Sequence, residues 1–379
     1  MREKKIVLHI IIGLNKGGAE GALKRLILNT TNKRISHEVL SLTTKGEIGS
    51  ELENEGYKVH VLGLQKVYLY PVYFLKLIFK LKQIHPDIVQ TWMYHADLFG
   101  GLAAKILGFK NIIWNIRTTE ISKELSPMTY LLRRLCVYLS HFVPRDIVFV
   151  SHAGLKLHTK LGYNLKKSIV IANGYSSDYY QFNLDSRIRI RNSCNLSDDN
   201  FLVGFVGRYH PIKGIEDFLD IAKGVNSSNK NVNFMMIGKG LSKTNIELGQ
   251  EIKKRKLENH FILVGEVNDI VDYLSSLDIF VMTSKTEGFP NALAEALLVG
   301  LPSISSDVGD VNLMIKEPDL ILPAGDIDKF VKKINYFVGL SKHQRMEITQ
   351  SSKENMITSY SIDNFIERYQ GLYENILEQ

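Results

Sequence analysis

Short apolar runs alternate with helix-like stretches along nearly all of this chain, and that alternation limits its fold more than any single motif. In the first half, Lys5–Gly13, Glu38–Leu42, Lys58–Leu62, Asp87–Thr91, Asn111–Arg117, Asp146–Val150 and Ser168–Ile171 read as strands. Helical stretches such as Ala19–Thr31, Leu98–Leu107 and Thr129–Leu139 lie between them. The second half repeats the pattern with Leu202–Gly207, Asn233–Gly238, Phe261–Gly265, Asp278–Thr283, Pro302–Ser305 and Leu320–Leu322. Strands that are apolar on both faces and separated by helices build parallel sheets covered on both sides. A chain of 379 residues is too long for one ordinary core. The polar segment Tyr175–Asp199 separates the two series. The expected architecture is therefore α/β, with two doubly wound parallel-sheet domains. Their expected bounds are 1–178 and 201–360, with a linker at 179–200 and a C-terminal helix at 361–379 packing back towards the first domain.

Open parallel sheets take ligands beyond the carboxyl ends of their strands, so two such domains facing each other imply a cleft fed by loops from both. Charge is unevenly spread. Residues 1–180 carry 25 Lys and Arg against 13 Asp and Glu, whereas the remainder carries 22 against 27. A basic first half suits an anionic partner: a phosphate-bearing substrate, an acidic lipid surface or nucleic acid. Cys136 and Cys194 lie far apart without metal-ligand spacing, which fits a reducing compartment. Met1–Lys5 is basic, but the apolar run Ile6–Leu14 includes His9 and leads to no small-residue cleavage site. It reads as a first strand, not a secretory signal.

The most specific stretch is Thr283-Ser-Lys-Thr-Glu-Gly-Phe-Pro-Asn-Ala-Leu-Ala-Glu-Ala-Leu298, directly after a strand. Gly288 allows close backbone approach, and Pro290 suits the first position of a helix over Pro290–Val299. The free N–H groups of such a helix start suit a diphosphate. Glu287 and Glu295 offer acceptors for sugar and ribose hydroxyls, although both could simply favour a helix start electrostatically. A glycosidase carboxylate pair is the rival reading, and a helix-borne residue eight positions on is poorly placed for it. In Val206-Gly-Arg-Tyr-His-Pro-Ile-Lys-Gly214, Arg208 and Lys213 flank a turn and could reach one diphosphate, or be ordinary surface cations. The stretch lacks the Gly-Lys-Ser/Thr ending of a Walker A loop. Gly238-Lys-Gly240 marks another tight turn after a strand.

In the first half, Gly17-Gly18-Ala-Glu20 opens a helix without dinucleotide-binding spacing. His95 follows one strand and Arg117 ends another, so both belong at the carboxyl edge; a lone histidine is more often structural. Asp326-Ile-Asp328 has the Asp-x-Asp spacing of metal-dependent transferases, but its place before an amphipathic stretch makes Asp326 a helix cap. No metal site is expected.

Taken together these residues resemble glycosyltransferase family 4, whose members have the GT-B fold and retain the donor's anomeric configuration. The resemblance runs almost end to end. It covers Gly17–Glu20, Gln90-Thr-Trp-Met-Tyr-His-Ala-Asp97, Ile113-Trp-Asn-Ile-Arg117, Ile171-Ala-Asn-Gly174, Val206-Gly-Arg208 with Lys213-Gly214, and the Glu-x7-Glu motif from Glu287 to Glu295. The Trp-x-Tyr-His-Ala and Ile-Trp-x-Ile-Arg pieces are most similar to bacterial enzymes that build cell-surface polysaccharide from UDP-sugars on lipid-linked acceptors. The resemblance implies an acceptor-binding first domain and a second domain that binds the nucleotide sugar. It implies that Arg208 and Lys213 bind the donor diphosphate, that Glu295 holds the ribose hydroxyls, and that Glu287 contacts the transferred sugar. Gly18, beside Gly17, would sit against the donor phosphate, and His95 would contact the sugar near the reacting carbon. Gly238, Gly288, Phe289 and Asn291 complete the expected donor site. Three positions depart from the pattern: His152 after Ser151 where an acidic residue is common, Pro290 where many members have glycine, and Ser306-Asp-Val-Gly-Asp310 in place of Gly-Gly-x-x-Glu. Pro290 removes one backbone donor, which leaves the anion to Phe289, Asn291 and the two cations.

The expected activity is a hexosyltransferase reaction, moving a hexose or N-acetylhexosamine from a UDP-sugar to a lipid-linked saccharide without cofactor or metal. A sugar-nucleotide epimerase of the same fold, which needs no acceptor, and a non-catalytic anion-binding protein are the alternatives. A nucleic-acid partner is not expected, because the basic residues form no recognition motif. Tyr68–Ile84 interleaves aromatics with Lys76, Lys80 and Lys82. Too interrupted to span a bilayer, it is either a helix on an anionic membrane surface or an ordinary helix packed on its sheet. The charge bias favours the former, and a cytoplasmic protein held peripherally on the inner face of the cytoplasmic membrane.

Overall fold

The computed structural model describes residues 4–64, 70–119, 127–197 and 199–378. Met1–Glu3 of the basic start, Tyr68 of the aromatic segment and Asp198 of the expected linker lie outside these residues. The chain divides into two compact units, Met1–Gly174 with Ile362–Gln379, and Tyr175–Ser361.

The first unit holds strands β1 (Lys5–Ile11), β2 (Ile35–Ser41), β3 (Lys58–Val61), β4 (Ile88–Trp92), β5 (Ile112–Ile116), β6 (Asp146–Phe149) and β7 (Ser168–Val170). They form one sheet in the order β3-β2-β1-β4-β5-β6-β7, parallel throughout. The second unit holds β8 (Phe201–Val206), β9 (Val232–Ile237), β10 (Phe261–Gly265), β11 (Ile279–Met282), β12 (Ser303–Ser306) and β13 (Ile321–Leu322). Its sheet runs β10-β9-β8-β11-β12-β13, again parallel. The expected doubly wound α/β organisation is present in both. In each sheet the strand order reverses beside the first strand, at β1/β4 and at β8/β11, and such switch points open a crevice at the carboxyl edge.

One apolar cluster lies on each face of the first sheet. Helix Ile362–Leu377 completes the first of them: Phe365, Tyr369 and Tyr373 are buried there, each aromatic contributing about 2 kcal/mol. Its polar tips are paired as well. Asn115 Nδ2 donates to the Tyr369 hydroxyl at 2.7 Å, and the Tyr373 hydroxyl donates to Gln90.

Residues 179–200, read from sequence as a linker, contain helix Leu184–Ser193 built into the second unit. Asn183 caps it by accepting from the Ser186 amide at 3.0 Å. What anchors it is polar: Arg187 and Arg191 are buried on the carboxylate of Asp278, at 2.8 and 3.2 Å. A hydropathy pattern cannot register a helix whose buried face is made of paired charges.

Candidate active site

In the second unit, three loops at the carboxyl edge are bound to each other through backbone. The loop after β8 continues into the short turn Pro211–Lys213, which ends at Gly214 with φ +65°. A Cβ on Gly214 would stand 2.0 Å from the carbonyl oxygen of Thr283, so only glycine fits. The Thr283 hydroxyl donates to the Gly214 carbonyl at 2.8 Å, and the Lys285 amide donates to the Ile212 carbonyl at 2.7 Å. Gly238, after β9, has φ +133°, and a Cβ there would lie 1.9 Å from the Gly207 oxygen. Gly238 thus lets the loops after β8 and β9 touch, and the Tyr209 amide donates to the Lys239 carbonyl at 2.8 Å.

This lacing positions the side chains. Lys213 Nζ lies 2.5 Å from Glu287 Oε1, which also accepts from the Ser284 hydroxyl at 2.7 Å. Arg208 is exposed and makes no hydrogen bond or ion pair to any described residue. Of the two cations expected to reach one diphosphate, Lys213 is paired with Glu287, whereas Arg208 has no such pair among the described residues. Helix Asn291–Val299 begins one residue later than expected, with Pro290 in the capping position and no side-chain cap. A helix start without a side-chain cap suits an anion through its dipole. Phe289 is buried, stacked on Tyr175 at 6.2 Å and edge-on to Tyr360 at 5.6 Å. It therefore has only its backbone to offer a ligand. Asn291 Oδ1 accepts from the Tyr175 hydroxyl at 2.5 Å, and Glu295 Oε1 lies 3.5 Å from the Tyr180 hydroxyl.

Sequence reasoning missed two features here. One is the aromatic group of Tyr175, Tyr179 and Tyr180, in which burial, then Asp269 and Glu295, push Tyr179 up to about 12. The run Tyr175-Ser-Ser-Asp-Tyr-Tyr180 was its only signal. The other is Gly309, with φ +62°, where a Cβ would lie 2.7 Å from the Glu287 oxygen and 2.9 Å from that of Gly288. The atypical Ser306–Asp310 segment therefore packs directly on the loop that carries Glu287.

In the first unit, Gly17 caps helix Gly18–Asn29 in an extended conformation. The Glu20 side chain folds back towards this helix start, 2.3 Å from where a Gly17 Cβ would be. Burial raises the Glu20 pKa, against a backbone hydrogen bond and the charge of Arg117. Arg117 donates to Asn173, reaches Asn115 Oδ1 at 3.3 Å and lies over the Trp92 ring at 5.4 Å. His95 sits in the first turn of helix Met93–Ile106, half-buried, with its pKa lowered by burial. Met93, two residues earlier, has φ +71°, a strained conformation for a side chain of its size. Trp92 Nε1 donates to His9 Nδ1 at 3.3 Å, which makes His9 Nε2 the donor to His37 Nδ1 at 2.8 Å. His37 Nε2 then donates to Thr30 at 3.0 Å. Nothing in the hydropathy pattern announced this buried pair. Elsewhere, Asp326 caps helix Ile327–Val338 by accepting from the Lys329 amide at 3.2 Å.

Two open parallel sheets, the second with a guanidinium unpaired among the described residues and a helix start without a side-chain cap at its carboxyl edge, are the organisation of a GT-B type of enzyme. HepE of Anabaena, in complex with UDP and glucose, shares the fold with a TM-score of 0.85 at 20% identity, over 97% of this chain and 99% of that one. Residues 16–179 match the model of Glycosyltransferase Family 4, and residues 186–354 match that of the glycosyl transferases group 1. The chain belongs to this glycosyltransferase family. It is 25% identical to the capsular polysaccharide biosynthesis glycosyltransferase CapM of Staphylococcus aureus, over 80% of this chain and 81% of that one. It is also 25% identical to the UDP-Gal:alpha-D-GlcNAc-diphosphoundecaprenol alpha-1,3-galactosyltransferase of Escherichia coli, over 77% and 76%. The epimerase and non-catalytic readings are set aside accordingly.

Proposed function

We propose that this glycosyltransferase moves a hexose or N-acetylhexosamine from a UDP-sugar to a lipid-linked saccharide, with retention of configuration, in bacterial surface polysaccharide synthesis. The observation that carries the donor assignment is Arg208, an exposed guanidinium with no hydrogen bond or ion pair among the described residues, on the loop that leads to Lys213 and its pair with Glu287. Departure of UDP builds charge on phosphate oxygens, and Arg208, Lys213 and the helix start at Asn291 stabilise that charge most in the transition state. Glu287 holds Lys213 in place and accepts from a hydroxyl of the transferred sugar. Glu295 takes the ribose hydroxyls, with Tyr180 beside it. With fixed cations already present, turnover proceeds without a metal ion. His95, whose pKa burial lowers, contacts the sugar near the reacting carbon. The names of the relatives support the choice of UDP-sugar and of a lipid diphosphate acceptor.

Calorimetry with UDP tests the donor site. Arg208→Ala should weaken UDP at least tenfold, the loss of a charge-assisted contact of about 1.5–3 kcal/mol. Glu295→Ala should also weaken UDP. Wild-type affinity in both variants would remove the assignment.

The same reading extends to an anionic membrane surface. No described helix is long and apolar enough to cross a membrane. Helix Tyr70–Ile84 buries Leu77, Leu81 and Ile84 on its sheet, and its outer side exposes Val72, Leu75 and Phe79 among Lys76, Lys80 and Lys82. On the same side of the sheet, helix Pro127–Leu139 exposes Leu131, Leu135 and Tyr138 beside Arg134. Apolar tips among cations fit an interface with acidic headgroups. Co-sedimentation with anionic vesicles should occur at low salt and fall for Leu75→Ser with Phe79→Ser. Absence of binding at low salt would leave these faces unexplained.

A further inference from the structure

At the amino ends of β11 and β12, the edge opposite Arg208 and Glu287, the second unit contains a cavity of about 120 Å³. Its apolar part is made by Leu274, Leu277, Leu301 and Pro302. Its charged part is Arg187, Lys342, Arg345 and Lys353 against one carboxylate, Asp278. That carboxylate already accepts three hydrogen bonds. Oδ1 accepts from Arg187 at 2.8 Å, and Oδ2 accepts from Arg191 at 3.2 Å and from the Leu202 amide at 2.8 Å. Arg345 Nη2 stands 3.6 Å from Oδ1, within ion-pair reach but outside hydrogen-bond range, although the Arg345 side chain is only 12% exposed. One negative charge thus faces three guanidinium groups, and Lys353 has no carboxylate partner among the described residues.

A purely structural role accounts for part of this. Arg187 Nη1 donates to the carbonyls of Ser276 and Leu277 at 3.1 and 2.9 Å, and Arg345 Nη1 donates to that of Leu340 at 2.9 Å. One nitrogen of each fork therefore caps a chain turn. The Arg345 guanidinium also lies over the Phe201 ring at 4.9 Å, but its Nη2 and Lys353 make no hydrogen bond to a described residue, and the apolar hollow lies beside them. Excess buried positive charge is costly unless an anion compensates it. The hollow is close to the size that encloses a benzene ring, about 150 Å³.

We propose that this cavity binds a small apolar anion: a carboxylate or phosphate monoester on a hydrocarbon group of about six carbons. The head group takes Arg345 and Lys353, and the hydrocarbon packs on Leu277 and Leu301. Both parts are needed, because the cations alone would take any small anion and the hollow alone would take any apolar solute.

Titrating the whole chain with benzoate, phenyl phosphate, phenol and inorganic phosphate, by calorimetry and saturation-transfer NMR, tests this. Benzoate or phenyl phosphate should saturate, and whichever binds more tightly identifies the head group. Phenol and inorganic phosphate should bind at least about tenfold more weakly, the scale of one charge-assisted contact. Lys353→Glu, on the rim, and Arg345→Met should each weaken the anion at least about tenfold. Lys353→Glu carries the test if Arg345→Met does not fold. Saturating UDP should not displace the anion. Equal binding of phenol, displacement by UDP, indifference to both substitutions, or no saturable binding would each overturn the proposal. Apart from the UDP competition, these readouts do not depend on the donor assignment.

Discussion

Each sheet carries a glycine in a loop at its carboxyl edge, and the two are demanded by different things. Gly238 has φ +133°, and a Cβ would collide with the Gly207 carbonyl at 1.9 Å. Gly17 is extended, and a Cβ there would meet only the end of the movable Glu20 side chain. In the second unit the glycine is a requirement of the fold, because the loops bearing Arg208 and Lys213 are fastened before any ligand arrives. In the first unit the glycine leaves an opening that a carboxylate partly fills. The interiors differ in the same sense. The fully buried histidines among the described residues, His9, His37 and His158, all belong to the first unit.

The largest effect expected from this contrast is with pH. Burial lowers His37 and His158 to about 4, and His9 well below its ordinary value. Folded histidines with depressed pKa values refuse protons that the unfolded chain accepts. Their contribution is therefore whole above about pH 6.5 and is lost as pH falls towards 4. At pH 5 the loss is about 2 kcal/mol for each of His37 and His158. Hydrogen exchange at pH 5 against pH 7.5 should show the first unit loosening well before the second. Parallel loosening of both would break the contrast.

The next effect is on folding. Gly238→Ala should cost about 3 kcal/mol or more in urea denaturation, since both a carbonyl clash and a disallowed φ must be relieved. Gly17→Ala should cost less than about 1 kcal/mol. Comparable losses would mean that the first-unit turn is as internally constrained as the second.

This difference also separates what the sequence could and could not reveal. Short apolar runs between helix-like stretches mark parallel strands, so all thirteen were legible, including the partly exposed edge strands β3 and β7. Arg208, Lys213, Glu287 and Glu295 could be named as candidates because their spacing around Gly214 and Gly288 is itself chemical information, and the structure brings Lys213 and Glu287 together. Illegible were groups whose burial depends on a distant polar partner: Arg187 and Arg191 on Asp278, His9 on His37, and the Tyr175–Tyr180 aromatics. Their pairing is a tertiary fact, and hydropathy alone places such residues at the surface.

A smaller effect sharpens the catalytic side. Glu287→Gln keeps the shape but loses the charge that holds Lys213 at 2.5 Å. Turnover should fall on the order of a hundredfold, about 2.7 kcal/mol of transition-state stabilisation. UDP affinity should change by less than about threefold, because Lys213 is released towards phosphate. Equal losses in turnover and UDP affinity would make Glu287 a binding group only.

The smallest expected effect concerns the Asp-x-Asp pair. Asp326 is spent on the Lys329 amide at 3.2 Å and the Lys329 ammonium at 2.9 Å, and both contacts lower its pKa. Its carboxylate serves the start of helix Ile327–Val338, and the described residues hold no group of three or more His, Cys, Asp or Glu side chains suited to a metal. If Arg208, Lys213 and the helix start at Asn291 supply the charge that a metal would otherwise bring, chelator should leave turnover within about twofold. Asp326→Ala should behave alike in turnover while lowering thermal stability slightly through the lost cap. Activity abolished by EDTA and restored by manganese, with Asp326→Ala insensitive to both, would transfer the diphosphate from the fixed cations to an ion. The Arg208 guanidinium, unpaired among the described residues, would then need another purpose.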